Sequence, residues 1–225
     1  VRPVDRGEAN REYKEHSEAS LDLIERIGRF CSYCEMPLPN SPHVEHIRPQ
    51  KHYPELATKW DNFLLSCAYC NSRKKDKNFS LDEVCLPDTD NTFLAFSYYK
   101  GGIVKINSSL NEQQQQLATA TMRLMKLDSH PGLIGKEPTG KDPRYQFRIT
   151  AWNKAVRAKD LRDENHSKKV EDSIVDTMES TGFWSVWMTV FDDDTHMRQR
   201  FIDVIQGTHK DSFDADTKPL PRGKI

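Results

Sequence analysis

A chain of 225 residues can bury one substantial core, or one core and a smaller module, and is too short for several independent domains. Its 33 Lys and Arg stand against 34 Asp and Glu, which excludes binding nucleic acid by bulk charge and leaves that role to a local cluster. No apolar run is long enough to span a bilayer and Val1 to Asn10 are charged, so a cytoplasmic protein is expected.

In chain order, Leu21, Leu23, Ile24, Ile27 and Phe30 recur at mostly three- and four-residue intervals, which predicts a helix over 17–30 with one buried face. The proline-rich stretch from Glu35 to Pro42 reads as a loop. Val44 to Arg48 reads as a short strand stopped by Pro49. A loop with a helical turn before Trp60 is expected over 50–59, then a second short strand from Phe63 to Ser66. Asn71 to Lys77 lacks proline and glycine and continues as a helix.

Beyond this point, Thr92 to Tyr99 and Ile103 to Asn107 flank Lys100-Gly101-Gly102 in a hairpin pattern. Asn111 to Leu127 is glutamine-rich, but Leu117, Met122, Leu124, Met125 and Leu127 give it the apolar side of a helix. Ser129 to Asp142, with three glycines and two prolines, is predicted to be a mobile connection. Helices follow at about 143–163, 168–180 and 195–205. Phe183 to Phe191, with two tryptophans and two phenylalanines, reads as core. The polar tail from Asp211 to Ile225 is expected to fray.

Four of the five cysteines form two equally spaced pairs, Cys31/Cys34 and Cys67/Cys70, while Cys85 stands alone. Without a secretory signal the thiols stay reduced, so the pairs read as a metal site rather than disulfides. Two such pairs fill every position of a tetrahedral zinc and leave none open for water, which makes that Zn²⁺ structural. Cys85 has no neighbouring activator and reads as a small buried hydrophobe.

Between the cysteine pairs lies His43-Val44-Glu45-His46-Ile47-Arg48-Pro49, then Trp60-Asp61-Asn62-Phe63; Asn71 follows Cys70 directly. Strand alternation sends Glu45 and Ile47 to one face and Val44, His46 and Arg48 to the other, so a turn or bulge is needed for Glu45 and His46 to share a site. The Glu45 carboxylate and the Asn71 amide oxygen suit a hard cation, Mg²⁺ or Mn²⁺. His46 beside it has the chemistry to take a proton from water. Arg48, Lys51, Arg73, Lys74, Lys75 and Lys77 form a candidate phosphate-contacting track, with Lys74 and Lys75 on the helical side of Asn71.

On these residues, the segment from Cys31 to Lys77 resembles the zinc-containing HNH (ββα-metal) endonuclease motif, over about a fifth of the chain. Glu45-His46 with Pro49 resembles its acidic-histidine element, with Glu for the commoner Asp. Asn62 matches the middle asparagine, with Phe63 where leucine is usual; Asn71 and Lys74 match the final elements. The resemblance implies His46 as general base, with Asn62 and Lys74 in the catalytic set, and Glu45 and Asn71 as ligands of the catalytic metal. Asn62 in that family mainly fixes the loop between the strands.

The HNH motif followed by a longer helical region also resembles nuclease subunits of bacterial anti-phage systems such as Septu and certain retrons, where an ATPase partner accompanies the nuclease. The expectation is therefore an α+β protein: an N-terminal helix and HNH module over 1–90, then a β-hairpin and mainly helical region over 91–225. Its expected activity is metal-dependent hydrolysis of nucleic acid, DNA first, in anti-phage defence. The rival is a noncatalytic zinc module that binds nucleic acid or a partner protein; it explains the cysteines and lysines but gives Glu45, His46, Asn62 and Asn71 no task.

Overall fold

The N-terminal helix is shorter than its apolar pattern predicts. In a computed structural model of the protein, which describes residues 1–40, 42–140 and 142–225, a 3-10 turn at His16–Ala19 leads into α1 (Ser20–Ile27). Gly28, with φ near +76°, ends α1 at a backbone conformation that suits glycine. Leu23 and Ile27 are buried, whereas Leu21, placed on the same face by periodicity, is two-thirds exposed.

The next elements are β1 (His43–His46), β2 (Phe63–Ser66) and α2 (Ala68–Lys74). β1 and β2 pair antiparallel, with His46 opposite Phe63 and Glu45 opposite Leu64. β2 is buried along its whole length because α1 and β1 both pack on it. α2 starts three residues earlier than predicted, since Cys67 caps it by accepting a bond from the Cys70 N–H at 3.4 Å. It stops at Lys75, whose φ of +45° turns the chain away.

A one-turn helix, α3 (Thr92–Ala95), replaces the first half of the predicted long strand; the hairpin proper is β3 (Phe96–Tyr99) with β4 (Ile103–Ile106). α4 (Glu112–Met125) opens on a capping box between Asn111 and Gln114. Residues 129–140 contain no helix or strand. Four helices complete the chain: α5 (Arg144–Glu164), α6 (Lys168–Thr181), α7 (Trp184–Val190) and α8 (Thr195–Val204). The fold is thus α+β with a helical C-terminal region, as the sequence pattern predicts, and no described helix is long and apolar enough to cross a membrane.

Two apolar clusters hold these elements. One gathers residues from Val1 to Leu127 around β2 and the cysteines and takes in Ala151, Phe183, Val186 and Ile225 from the C-terminal region. The other is built on Trp187, Phe191 and Phe201, which meet edge-on or stacked at 5.2–6.3 Å, and on Trp184, which meets Phe93 and Phe213 edge-on at 5.3 and 5.7 Å. The α6–α7 turn rests on the first cysteine loop. Gly182 (φ near +70°) has room there for no side chain, since a Cβ would meet Glu35 O at 2.7 Å.

The tail does not fray. Phe213 and Ile225 are buried, the Asn91 amide donates to Ser212 O and Leu220 O, and Lys224 Nζ donates to Leu81 O and Val84 O. Its polar composition misleads because those polar groups satisfy buried backbone carbonyls rather than water.

Candidate nuclease site

The four paired cysteines are buried and their sulfurs lie within 4.8 Å of one another. A tetrahedral zinc with Zn–S of about 2.3 Å sets its sulfurs roughly 3.8 Å apart, and Cys34 Sγ and Cys67 Sγ are 3.7 Å apart. The cluster therefore fits a zinc site. It joins the residues after α1 to the start of α2, with Ser32 N donating to Leu65 O across the join.

Two buried charged residues near this cluster carry structural roles that no motif assigns. Arg144, at the start of α5, donates to Cys70 Sγ at 3.3 Å, pairs with Asp142 at 2.7 Å, and donates to Met125 O and Lys126 O. Glu35, the residue after Cys34, is buried and accepts from Arg2 N, Ser185 N and Ser185 Oγ. Neither was singled out from sequence. The one available signal was an acidic residue directly following a cysteine pair, and Arg144 gave none, because its partner lies 74 positions away.

Glu45 and His46 occupy opposite faces of β1, as strand alternation requires. Glu45 points toward α2, where Lys74 Nζ lies 2.6 Å from its Oε1 and also donates to His46 O at 2.5 Å. Burial holds the Glu45 carboxyl above its usual range, and Lys74 offsets only part of that. A single ammonium thus grips the side chain of one residue and the backbone of the next, without a bulge in β1.

The half-buried His46 ring meets Phe63 edge-on at 5.3 Å and lies 4.9 Å from the His16 ring. His46 Nε2 is 2.9 Å from Ala57 O. A carbonyl only accepts, so Nε2 carries the proton and, in the neutral ring, Nδ1 keeps a lone pair. Burial lowers the His46 pKa; the Ala57 bond opposes this, and His16 and Lys74 add to it. The neutral, proton-accepting form is the favoured one.

Asn62 is buried, accepts from Arg48 N at 2.7 Å and donates to Arg48 O and Leu56 O. All three bonds go to the loop joining β1 and β2, each worth about 1 kcal/mol net. Its amide is spent on that loop. Asn71 sits in the middle of α2, half-buried, on the helix that also carries Lys74.

The expected basic track divides. Lys74 is fully buried on Glu45 and is not on an exposed face with its neighbours. Arg73 donates to Thr139 and lies 3.9 Å from Asp142. Arg48 lies over the Tyr53 ring at 4.9 Å. Lys51, Lys75 and Lys77 are exposed. Lys75 follows the end of α2, so helical spacing from Asn71 does not describe where its side chain goes.

Residues 31–77 match the HNH endonuclease family. The HNH segment contains the four cysteines, Glu45, His46, Asn62, Asn71 and Lys74. Part of the chain is also 34% identical over 73 residues to the Septu protein PtuB of Bacillus thuringiensis, which covers 31% of this chain and 28% of that protein. Over 63 residues it is 32% identical to protein ea31 of Escherichia phage lambda, covering 28% of this chain and 21% of that one. The matched stretch thus spans less than a third of either relative.

Proposed function

We propose that the protein is a metal-dependent endonuclease that hydrolyses phosphodiester bonds in DNA, with His46 as general base. The observation that carries this reading is the His46 ring: Nε2 is committed to Ala57 O, which leaves Nδ1 to accept a proton. What sets this histidine apart from a structural one is its place in the segment that matches the HNH endonuclease family.

Glu45 and Asn71 would hold a Mg²⁺ or Mn²⁺ ion, which prefers oxygen ligands; here Glu45 is paired with Lys74 and faces away from the His46 ring, so holding the ion beside His46 would require Glu45 to leave Lys74 and β1 to turn there. When bound, that ion supplies positive charge for the phosphate and the leaving oxygen. His46 takes the proton from the attacking water at Nδ1. Lys74 positions Glu45 and the His46 backbone, and Asn62 holds the loop that presents Ala57 O to the ring. The four cysteines hold Zn²⁺, which fixes β1, β2 and α2 relative to one another.

The exposed Lys51, Lys75 and Lys77, together with Arg48 and Arg73, would contact the DNA backbone without reading sequence. The similarity to a Septu protein supports a role in anti-phage defence with an ATPase partner. Cleavage of supercoiled plasmid with Mg²⁺ or Mn²⁺ tests the activity. Nicking that disappears with a chelator and in His46→Ala is expected; equal nicking by His46→Ala sinks the mechanism.

A further inference from the structure

We propose that His16 belongs to the same site as a substrate-contacting residue, donating from its imidazole to a non-bridging oxygen of the phosphate that His46 serves. This rests on the nuclease reading above and extends the site beyond residues 31–77. His16 opens the 3-10 turn before α1, and its ring centroid is 4.9 Å from that of His46, with the planes at 55°.

The surroundings of His46 separate two kinds of neighbour. Phe63 is fully buried and Ala57 O holds Nε2, so those two already fix the ring. His16 is exposed and fills no core space. An imidazole carries at least one N–H donor in every protonation state it adopts near neutrality, which suits it to a phosphate oxygen.

Reach agrees with this assignment. A general base sits about 3 Å from the water it activates, and that water attacks from about 3–3.5 Å. The phosphate therefore comes within roughly 6 Å of Nδ1 by the same arithmetic. The His16 ring centroid, 4.9 Å from that of the His46 ring, lies at a comparable range.

The segment bearing His16 is also held in place. Tyr13 stacks on Trp60 at 5.8 Å, meets Phe63 edge-on at 6.2 Å, and donates to Asp22 at 2.8 Å. On the other side Ala19 is fully buried, and Glu18 turns back to accept from Lys14 N at 3.0 Å. His16 is thus carried between two anchors, so little ordering entropy remains to be lost on contact with substrate.

The test uses the zinc-loaded 225-residue chain and its His16→Ala and His16→Gln variants. In plasmid cleavage with Mn²⁺, His16→Ala should lose about 10–100-fold in rate, the value of one hydrogen bond to a charged group. His16→Gln, which keeps a donor, should recover part of that loss, with zinc content and thermal midpoint unchanged in both. An undiminished His16→Ala rate overturns the proposal.

A second arm does not depend on cleavage. In His46→Ala, the imidazole ¹H–¹⁵N signals of His16 are followed while a 12-base-pair DNA duplex is added with Mn²⁺ replaced by Mg²⁺. Movement of the His16 signals supports the contact even if the wild type cuts nothing, in which case the nuclease reading alone fails. Unmoved His16 signals at millimolar duplex, whether or not other residues respond, overturn the proposal.

Discussion

Lys74 Nζ lies 2.6 Å from Glu45 Oε1, and both side chains are almost wholly shielded from solvent. Such a pair is costly to assemble and costlier to break, because the survivor is left charged and dry. Lys74→Met should therefore destabilise the protein by roughly 3–5 kcal/mol. Adding Glu45→Gln should restore much of that loss, since the carboxyl left without its partner is the source of the penalty. Urea unfolding of the two single variants and the double variant measures the coupling. Strictly additive losses would mean that the two groups do not hold each other.

Arg144 makes the helical region part of the cysteine site. Its bond to Cys70 Sγ is joined by the Asp142 pair and two carbonyls at the end of α4. Partners that orient metal ligands commonly contribute 10–100-fold, on the order of one to two decades, in metal affinity. Arg144→Gln should therefore release zinc to a competing chelator at about tenfold lower chelator concentration or less. An unchanged release curve would reduce Arg144 to a structural cross-brace.

What could be read from the chain and what could not follows the range of the interactions. The cysteine spacing, the short strand before Pro49 and the aromatic segment at 183–191 carry local signals, and the structure has a four-sulfur cluster, β1 and the buried α7 in those places. Helical spacing placed Lys74 beside Asn71 but could not tell that it turns inward, because the reason is a carboxylate 29 positions earlier. The same holds for Arg144 and for His16, whose partners are set by tertiary packing. Composition misleads for the tail: Lys224 and Arg222 look like solvent-facing charges, yet they cap the carbonyls of Leu81, Val84, Pro87 and Asp88.

Cys85 is chemically distinct from the other four cysteines. It lies apart from their cluster, bonded through backbone and sulfur to Thr121 Oγ1, and burial pushes its thiol up to about 11. At pH 8 a thiol with that pKa is thiolate in only about one molecule in a thousand. The native, zinc-loaded protein should consequently resist iodoacetamide at Cys85, and labelling should appear only when denaturant is added. Mass spectrometry after timed alkylation reads this directly. Rapid native labelling at Cys85 would show that its packing around Thr121 opens readily.

His209 gives the fold a pH dependence of defined sign. Its ring bonds Ser212 Oγ, its backbone N–H donates to Pro3 O, and burial followed by the nearby Arg222 charge lowers its pKa. In the unfolded chain the imidazole titrates near its ordinary value of about 6.5. Between that value and the lower folded one, the unfolded state binds more protons, so stability is present above the unfolded pKa and declines as the pH falls through this window. His209→Gln removes this contribution. The wild type should therefore lose ground to the variant between about pH 8 and pH 5 in parallel urea titrations. His46 shifts in the same direction and remains in both proteins, so it cancels in the comparison. If the stability difference between the two proteins stays constant across that range, His209 is not a source of the acid sensitivity.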